Sequence, residues 1–424
     1  MDLAPNSFNK FQLVTFLLLS ADRGAFFLLT WLSIPHGPAF VSIIITTYWC
    51  LNTLLLPLSG VIIENLSKFK VSFFSGIIIF IGILNFYIFG TNINKNLIFL
   101  STLLLSFGAL IFTASSISYS AFLVSQKNQL SQSFKIRGLT ISLTTFIGPA
   151  FGGALLALTS YMSVIITLLV MVFISQIFYF TLPMDPPQKK SNKNFFSNLL
   201  LESKEGFIAV KEIPTEFFIA LYIMILNLFI TPFLSIALPL LAVNEYHFGS
   251  EELGIITAMF GVGLVVGSYV VSRYKNLLYP FNICLFSICL LGLSFLSCSF
   301  TSSLGLIYFL IFLSGFGAAL FNTIISSSRA TAIPDSYRSR IETFVLFIAQ
   351  ISIPIGTSLC GLMLHFFSLK LTIFLLGCCI LITSILLFFV PKLKKLLNHK
   401  VTDNSTIPFY EEEFPNAFKK INES

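Results

Sequence analysis

Long apolar runs separated by short polar segments dominate the chain. Predominantly apolar stretches fall at roughly residues 11–34, 40–63, 71–90, 97–124, 138–159, 161–183, 214–242, 253–272, 281–300, 304–326, 342–367 and 371–390. Each matches the length of about 20 residues that a helix needs to cross a bilayer. The runs are continuous and lack the two-residue alternation of barrel strands. The first run exceeds the apolar core of a cleaved signal and lacks a small-residue cleavage site, so it counts as helix one. The pattern predicts an all-α integral membrane protein with twelve transmembrane helices.

Composition sharpens this picture. Of 424 residues, 56% are hydrophobic, 10% are charged and 49 are Phe. Soluble domains carry about 25% charge, so the chain lacks the ionic surface of a soluble protein or a secreted disulfide scaffold. The net charge of +7 suggests a nucleic-acid partner only until the cations are located. With the N-terminus placed in the cytoplasm, 22 of the 25 Lys and Arg fall in cytoplasmic segments, including Arg329 in the loop before the eleventh run. Only Lys95 and Lys370 lie outside, and Arg23 lies within the first run. This asymmetry predicts that both termini are cytoplasmic and explains the basic balance without nucleic acid.

The seven cysteines all fall inside apolar runs and the four histidines are scattered. No metal-ligand spacing, catalytic triad or phosphate loop emerges, so neither a cofactor, a metal nor an enzyme activity is expected.

One long interior segment, 184–213, opens Pro183-Met184-Asp185-Pro186-Pro187 and divides the helices six and six. The expected organisation is a six-helix bundle over 1–183, a cytoplasmic central loop over 184–213, a second six-helix bundle over 214–390 and a mobile tail over 391–424. The second part of the loop, from Asn194 to Ile213, reads equally as a surface-lying amphipathic helix or a solvated linker. Glu411-Glu412-Glu413 reads as a solvated charge run. The halves resemble each other. Ser133-Phe134-Lys135-Ile136-Arg137 recurs as Ser336-Tyr337-Arg338-Ser339-Arg340, and Gly60 and Lys68 recur as Gly267 and Lys275 in the matching loop. A parallel repeat of this kind suits a transporter that opens alternately to each side of the membrane.

Three segments carry a family resemblance. Gly60-Val-Ile-Ile-Glu64-Asn65-Leu-Ser-Lys68-Phe-Lys70 resembles the Gly-x-x-x-Asp-Arg-x-Gly-Arg-Arg signature of the major facilitator superfamily, with Glu for Asp, Asn65 for Arg and Ser67 for Gly. Phe146-Ile147-Gly148-Pro149-Ala150-Phe151-Gly152-Gly153 is similar to the Gly-Pro-x-x-Gly-Gly motif of its antiporters. Pro334-Asp335-Ser336-Tyr337-Arg338-Ser339-Arg340 resembles a segment of its macrolide-efflux and enterobactin-exporter branch. The resemblance implies the major facilitator fold, with helices one, four, seven and ten lining a central cavity.

Asp22 and Arg23 are the most informative candidates. Asp22 lies ~16 Å into the first run at 1.5 Å per residue, near the middle of the hydrocarbon core. Intramembrane charge is costly and marks pathways or proton relays. The alternative is a structural ion pair, although adjacent helical residues point ~100° apart. Asp22 is expected to carry the coupling proton, and Arg23 to hold Asp22 or meet an anionic substrate. Further cavity candidates are Ser115, Ser118, Tyr119, Asn227 and Asn322, with Asn52 and Gln350 at the rim; interhelical hydrogen bonding is the alternative for each.

A cytoplasmic gate is expected from Gly60, Glu64, Lys68, Lys70, Arg137, Arg273, Asp335, Arg338 and Arg340, where a carboxylate meets the positive end of a facing helix. The basic residues there serve topology equally well. The motif Gly148, Pro149, Gly152 and Gly153 suits a bent helix with close backbone approach.

The resemblance implies a secondary transporter, proton-coupled and exporting a siderophore or drug-like amphiphile, in a bacterial cytoplasmic (inner) membrane. The expected partners are a small-molecule substrate, protons and the lipid bilayer, and the chain is expected to act as a monomer. An importer or lysophospholipid flippase on the same fold, and a non-transporting membrane sensor, are the alternatives.

Overall fold

The computed structural model describes residues 5–55, 67–89, 94–124, 127–185, 210–273, 279–334, 338–399, 408–415 and 417. Among these, every regular element is a helix. Twelve principal helices follow the twelve apolar runs: α1 (Pro5–Ser33), α2 (Pro38–Leu54), α3 (Lys68–Phe89), α4 (Lys95–Phe122), α5 (Lys127–Leu158), α6 (Tyr161–Tyr179), α7 (Pro214–Pro232), α8 (Ser250–Arg273), α9 (Pro280–Cys298), α10 (Leu304–Ala332), α11 (Arg338–Phe366) and α12 (Leu369–Leu386). Ten are long and apolar enough to cross a membrane. The other two are shorter in apolar length: α2 has 17 residues, and α5 carries a continuous apolar stretch only over Ile147–Leu156. Lys127, Lys135 and Arg137 keep the first turns of α5 polar.

Helix boundaries follow local chemistry. Pro38, Pro214 and Pro280 open α2, α7 and α9, where a missing N–H costs no helical bond. Ser160 and Ser368 cap α6 and α12 by accepting the backbone N–H groups of Ser163 and Leu371. Ser67 immediately precedes α3, and its hydroxyl donates to Asp185 Oδ1 at 2.6 Å. The same carboxylate accepts the N–H groups of Lys68 and Phe69 at 2.8 and 3.0 Å, so Asp185, beyond the end of α6, satisfies the free end of α3. Burial works against its charge, but the Ser67 hydroxyl and the Phe69 and Lys68 amides outweigh it and hold the carboxyl below its ordinary range.

Helix α7 continues through π-helical turns at Phe233–Ala237 and Leu241–Glu245. Pro232 and Pro239 remove two ladder donors here. The carbonyl four residues before Pro232 belongs to Leu228, and Gly356 of α11 packs directly on it, too close for any Cβ.

The chain forms two compact units. The first comprises 1–192, 234–261 and 357–366; the second comprises 193–233, 262–356 and 367–424. Parts of α7, α8 and α11 thus cluster with the first half of the sequence. Thr46 bonds Thr357 at 2.9 Å, Gly361 packs on Ser42, and Gly153 lies against the Gly254 backbone. The first unit is cored by an aromatic cluster in which the Phe11 ring sits 4.8 Å from Tyr119 and the Phe69 ring 5.1 Å from Tyr179. In the second unit Phe233 stacks on Phe295 at 3.5 Å.

Three sequence expectations change. Arg329 is not in a loop: it occupies the last turn of α10, only 5% exposed, because a buried carboxylate, Glu216, pairs with it. The tail from residue 391 folds over 393–398 and 409–413 into two short helices, α13 (Leu393–Asn398) and α14 (Phe409–Glu413). Leu393, Leu396, Phe409 and Tyr410 are buried. Glu413 is not part of a solvated charge run, since Lys392 and Lys395 both pair with it. The central segment expected to be amphipathic lies, except for its last residues, outside the described residues.

Candidate functional site

Asp22 is fully buried within α1, and the Tyr48 hydroxyl of α2 donates to its Oδ2 at 3.2 Å. Its Oδ1 has no hydrogen-bond partner among the described residues. The ~100° step between adjacent helical residues sets the Arg23 Cβ against α5, while its charge still interacts through space with Tyr48 and Asp22. A Cβ on Gly148 would lie 2.5 Å from the Arg23 Cβ and 2.8 Å from the Ser20 carbonyl, so only glycine leaves room there. Arg23 is partly exposed and makes no hydrogen bond or ion pair among the described residues.

The glycine motif of α5 therefore has a physical role. Gly148 and Gly152 bring α5 onto α1 at Gly24, directly beside the charged pair, and a Cβ on Gly152 would meet the Gly24 carbonyl at 3.4 Å. Gly153 turns the other way and packs on Gly254 of α8. Pro149 lies inside the same helix, at the point where its backbone approaches both neighbours.

Tyr48 is held from behind. Its carbonyl accepts Asn52 Nδ2 at 2.9 Å and Ser106 Oγ of α4 at 2.7 Å, and Asn52 also donates to Ser106 at 2.8 Å. The Phe26 ring packs 4.6 Å from the Tyr48 ring. Asn52 thus joins α2 to α4. Ser115 bonds Ser72 of α3 at 2.5 Å, and Tyr119 donates to the Pro183 carbonyl at 2.8 Å. Asn227 of α7 donates to the Ala349 carbonyl of α11 at 2.8 Å, beside Ser352, which bonds the Met224 carbonyl. Ser118, Asn322 and Gln350 make no hydrogen bond among the described residues, and Asn322 is exposed.

Of the expected gate, Gly60, Glu64 and Asp335 and the side chains of Arg338 and Arg340 lie outside the described residues. Lys68 contributes its backbone N–H to Asp185, and Lys70 is exposed. Arg137 donates to Ser116 of α4 at 3.0 Å, and Arg273, exposed at the end of α8, suits the negative end of that helix.

Three side-chain arrangements have no signature in the sequence. Tyr48 carries no charge and sits among 13 tyrosines, so nothing in the sequence singles it out. Asp185 looked like a loop residue. The third is a buried cluster in the second unit. Glu216 is fully buried in the first turn of α7, and Arg329 Nε donates to both its oxygens at 3.0 and 2.9 Å. Tyr410 of α14 donates to Glu216 Oε1 at 2.7 Å, and Glu342 of α11 lies 3.3 Å from Arg329.

Comparison with curated proteins finds no match. Solved structures match over nearly the whole chain at low identity. A POT family transporter in complex with 5-aminolevulinic acid has a TM-score of 0.71 at 13% identity, covering 93% of this chain and 97% of that one. A bacterial homologue of the human lysosomal transporter Spinster, in an inward-facing and unoccupied conformation, has a TM-score of 0.67 at 13% identity, covering 93% and 97%. The human organic anion transporter TETRAN has a TM-score of 0.65 at 16% identity, covering 91% and 100%. These similarities establish the major facilitator fold. The sequence model for the transmembrane secretion effectors matches residues 18–420. The chain is therefore a member of the transmembrane secretion effector family of major facilitator transporters.

Proposed function

We propose that this transporter exports its substrate in exchange for protons, with Asp22 as the proton-carrying group and Arg23 as the contact for an anionic group on the substrate. The carrying observation is the state of the pair: among the described residues Asp22 is enclosed with one oxygen bonded by Tyr48 and the other without a hydrogen-bond partner, while Arg23 interacts with Asp22 through space but makes no ion pair at bonding distance. A bare carboxylate in the bilayer interior is costly, so a group placed there exchanges its charge with a proton or a bound cation. An arginine left without a carboxylate at hydrogen-bond range offers a planar fork to an anionic ligand. The family's description as secretion effectors supports the outward direction.

A siderophore or an amphiphilic drug-like molecule is the substrate class in this reading, the acid–base pair favouring a polyanionic siderophore. The transporter acts as a monomer in a bacterial cytoplasmic membrane with both termini inside, as the distribution of Lys and Arg supports. The interhelical roles of Asn52, Ser115 and Asn227 leave Ser118, Asn322 and Gln350 as the remaining polar cavity candidates. A metabolite comparison of cells and supernatant, with and without the gene, tests the direction. An export substrate accumulates inside the deletion strain. Its accumulation outside would instead identify an importer.

A further inference from the structure

The C-terminal tail does more than end the chain. Helix α13 packs against α9 and α10 through Leu393, Leu396 and Leu397, and α14 packs against α10. Pro391 accepts the hydroxyl of Thr215, the residue before Glu216. The tail is closed on itself by Glu413 with Lys392 and Lys395, and by Lys392 over the Phe414 ring at 4.4 Å. The closing lysines are 42% and 65% exposed, so this outer clasp is weak and screened by salt. The inner contact is different in kind. Tyr410 is fully buried, and its hydroxyl completes the shell of a buried carboxylate already gripped by Arg329.

That carboxylate joins elements far apart in sequence. Glu216 starts α7, Arg329 ends α10, and Glu342 lies in the second turn of α11. Helix α7 departs from regular α-helical geometry after Pro232, where π-helical turns follow, and Glu216 sits in its first turn. A buried carboxylate that loses a hydrogen-bond donor is costly, and the docked tail supplies one donor to Glu216 through Tyr410.

We propose that the tail is a conformational latch: Tyr410 locks the start of α7 to the end of α10 through the Glu216–Arg329 pair, and withdrawal of α14 frees these ends to move. Tyr410 is a positioning residue, acting through Glu216 without touching the transported molecule. Docking of α14 rests on the weak outer clasp, the buried Phe409 and Tyr410 rings and one buried hydroxyl. This inference does not depend on proton coupling or on the substrate.

Hydrogen–deuterium exchange of the full-length transporter in lipid nanodiscs tests it. Tyr410→Phe keeps the ring and removes only the hydroxyl. Exchange at residues 215–220 and 327–333 is expected to rise at least about threefold, a loss of roughly 0.65 kcal/mol of local protection, with amides at the centre of α12 unchanged. A chain ending at residue 399 is expected to show the same pattern. Wild-type exchange in Tyr410→Phe would overturn the proposal. An equal rise in α12 would also overturn it, by showing a general loss of stability rather than release of two helix ends.

Discussion

The Tyr48 hydroxyl, 3.2 Å from Asp22 Oδ2, is the one side-chain donor to the buried carboxyl among the described residues. Hydrogen bonds to charged groups contribute about 1.5–3 kcal/mol. Tyr48→Phe is therefore expected to lower gradient-driven flux about tenfold, the equivalent of ~1.4 kcal/mol, and to lower the midpoint of thermal unfolding in detergent as well. Initial rates in vesicles check this; flux equal to wild type would remove Tyr48 from the site.

The glycine packing beside the pair gives a stability prediction. A side chain at Gly148 collides with Arg23 and the Ser20 carbonyl, and one at Gly153 collides with Gly254. Overpacking of this kind costs about 1–3 kcal/mol. Gly148→Val and Gly153→Val are each expected to lower the midpoint of thermal unfolding. Gly305→Ala is expected to be nearly neutral, because a Cβ there meets nothing within 4 Å.

Much of this arrangement was legible before the structure. The apolar runs locate the principal helices, ten of them long and apolar enough to span, because burial in lipid demands long uninterrupted segments. Asp22 and Arg23 stand out because charge within such a run is rare. Tyr48 was not legible, since a neutral side chain leaves no mark in a charge pattern. Glu216 and Arg329 looked like ordinary helix-end and loop charges because a pairing across 113 positions has no local signature. Tyr410 was hidden by the acidic residues that follow it, which suggest solvent until Glu413 is seen clasped by two lysines.

The Glu216–Arg329 pair predicts an asymmetric mutational response. Removing one member of a buried pair strands the other charge and costs about 3–5 kcal/mol. Arg329→Met is expected to destabilise strongly, whereas Glu216→Met combined with Arg329→Met is expected to recover most of the loss. Thermal unfolding of the two single variants and the double variant measures the coupling; simple additivity would argue against a shared charge.

Asp185 predicts a pH-dependent contribution to stability. Its carboxyl is held below the ordinary range in the folded chain, so its stabilising effect is present above the unfolded value near ~3.9 and is lost as the pH falls through the lower folded value. At neutral pH, Asp185→Ala is expected to cost about 0.5–2 kcal/mol through loss of the cap on α3. The difference from wild type is expected to shrink as the pH is lowered below the usual carboxylate range. A difference independent of pH would mean that packing, not charge, sets the effect.

Transport by Asp22→Asn in proteoliposomes under an imposed pH gradient tests proton coupling most directly, using the metabolite that the gene-deletion comparison identifies. Wild-type vesicles are expected to drive the substrate against its concentration gradient. The Asn variant, unable to carry the proton, is expected to lose that gradient-driven flux while still exchanging substrate down its own gradient. Undiminished gradient-driven flux in Asp22→Asn would contradict the assignment of the coupling proton to Asp22.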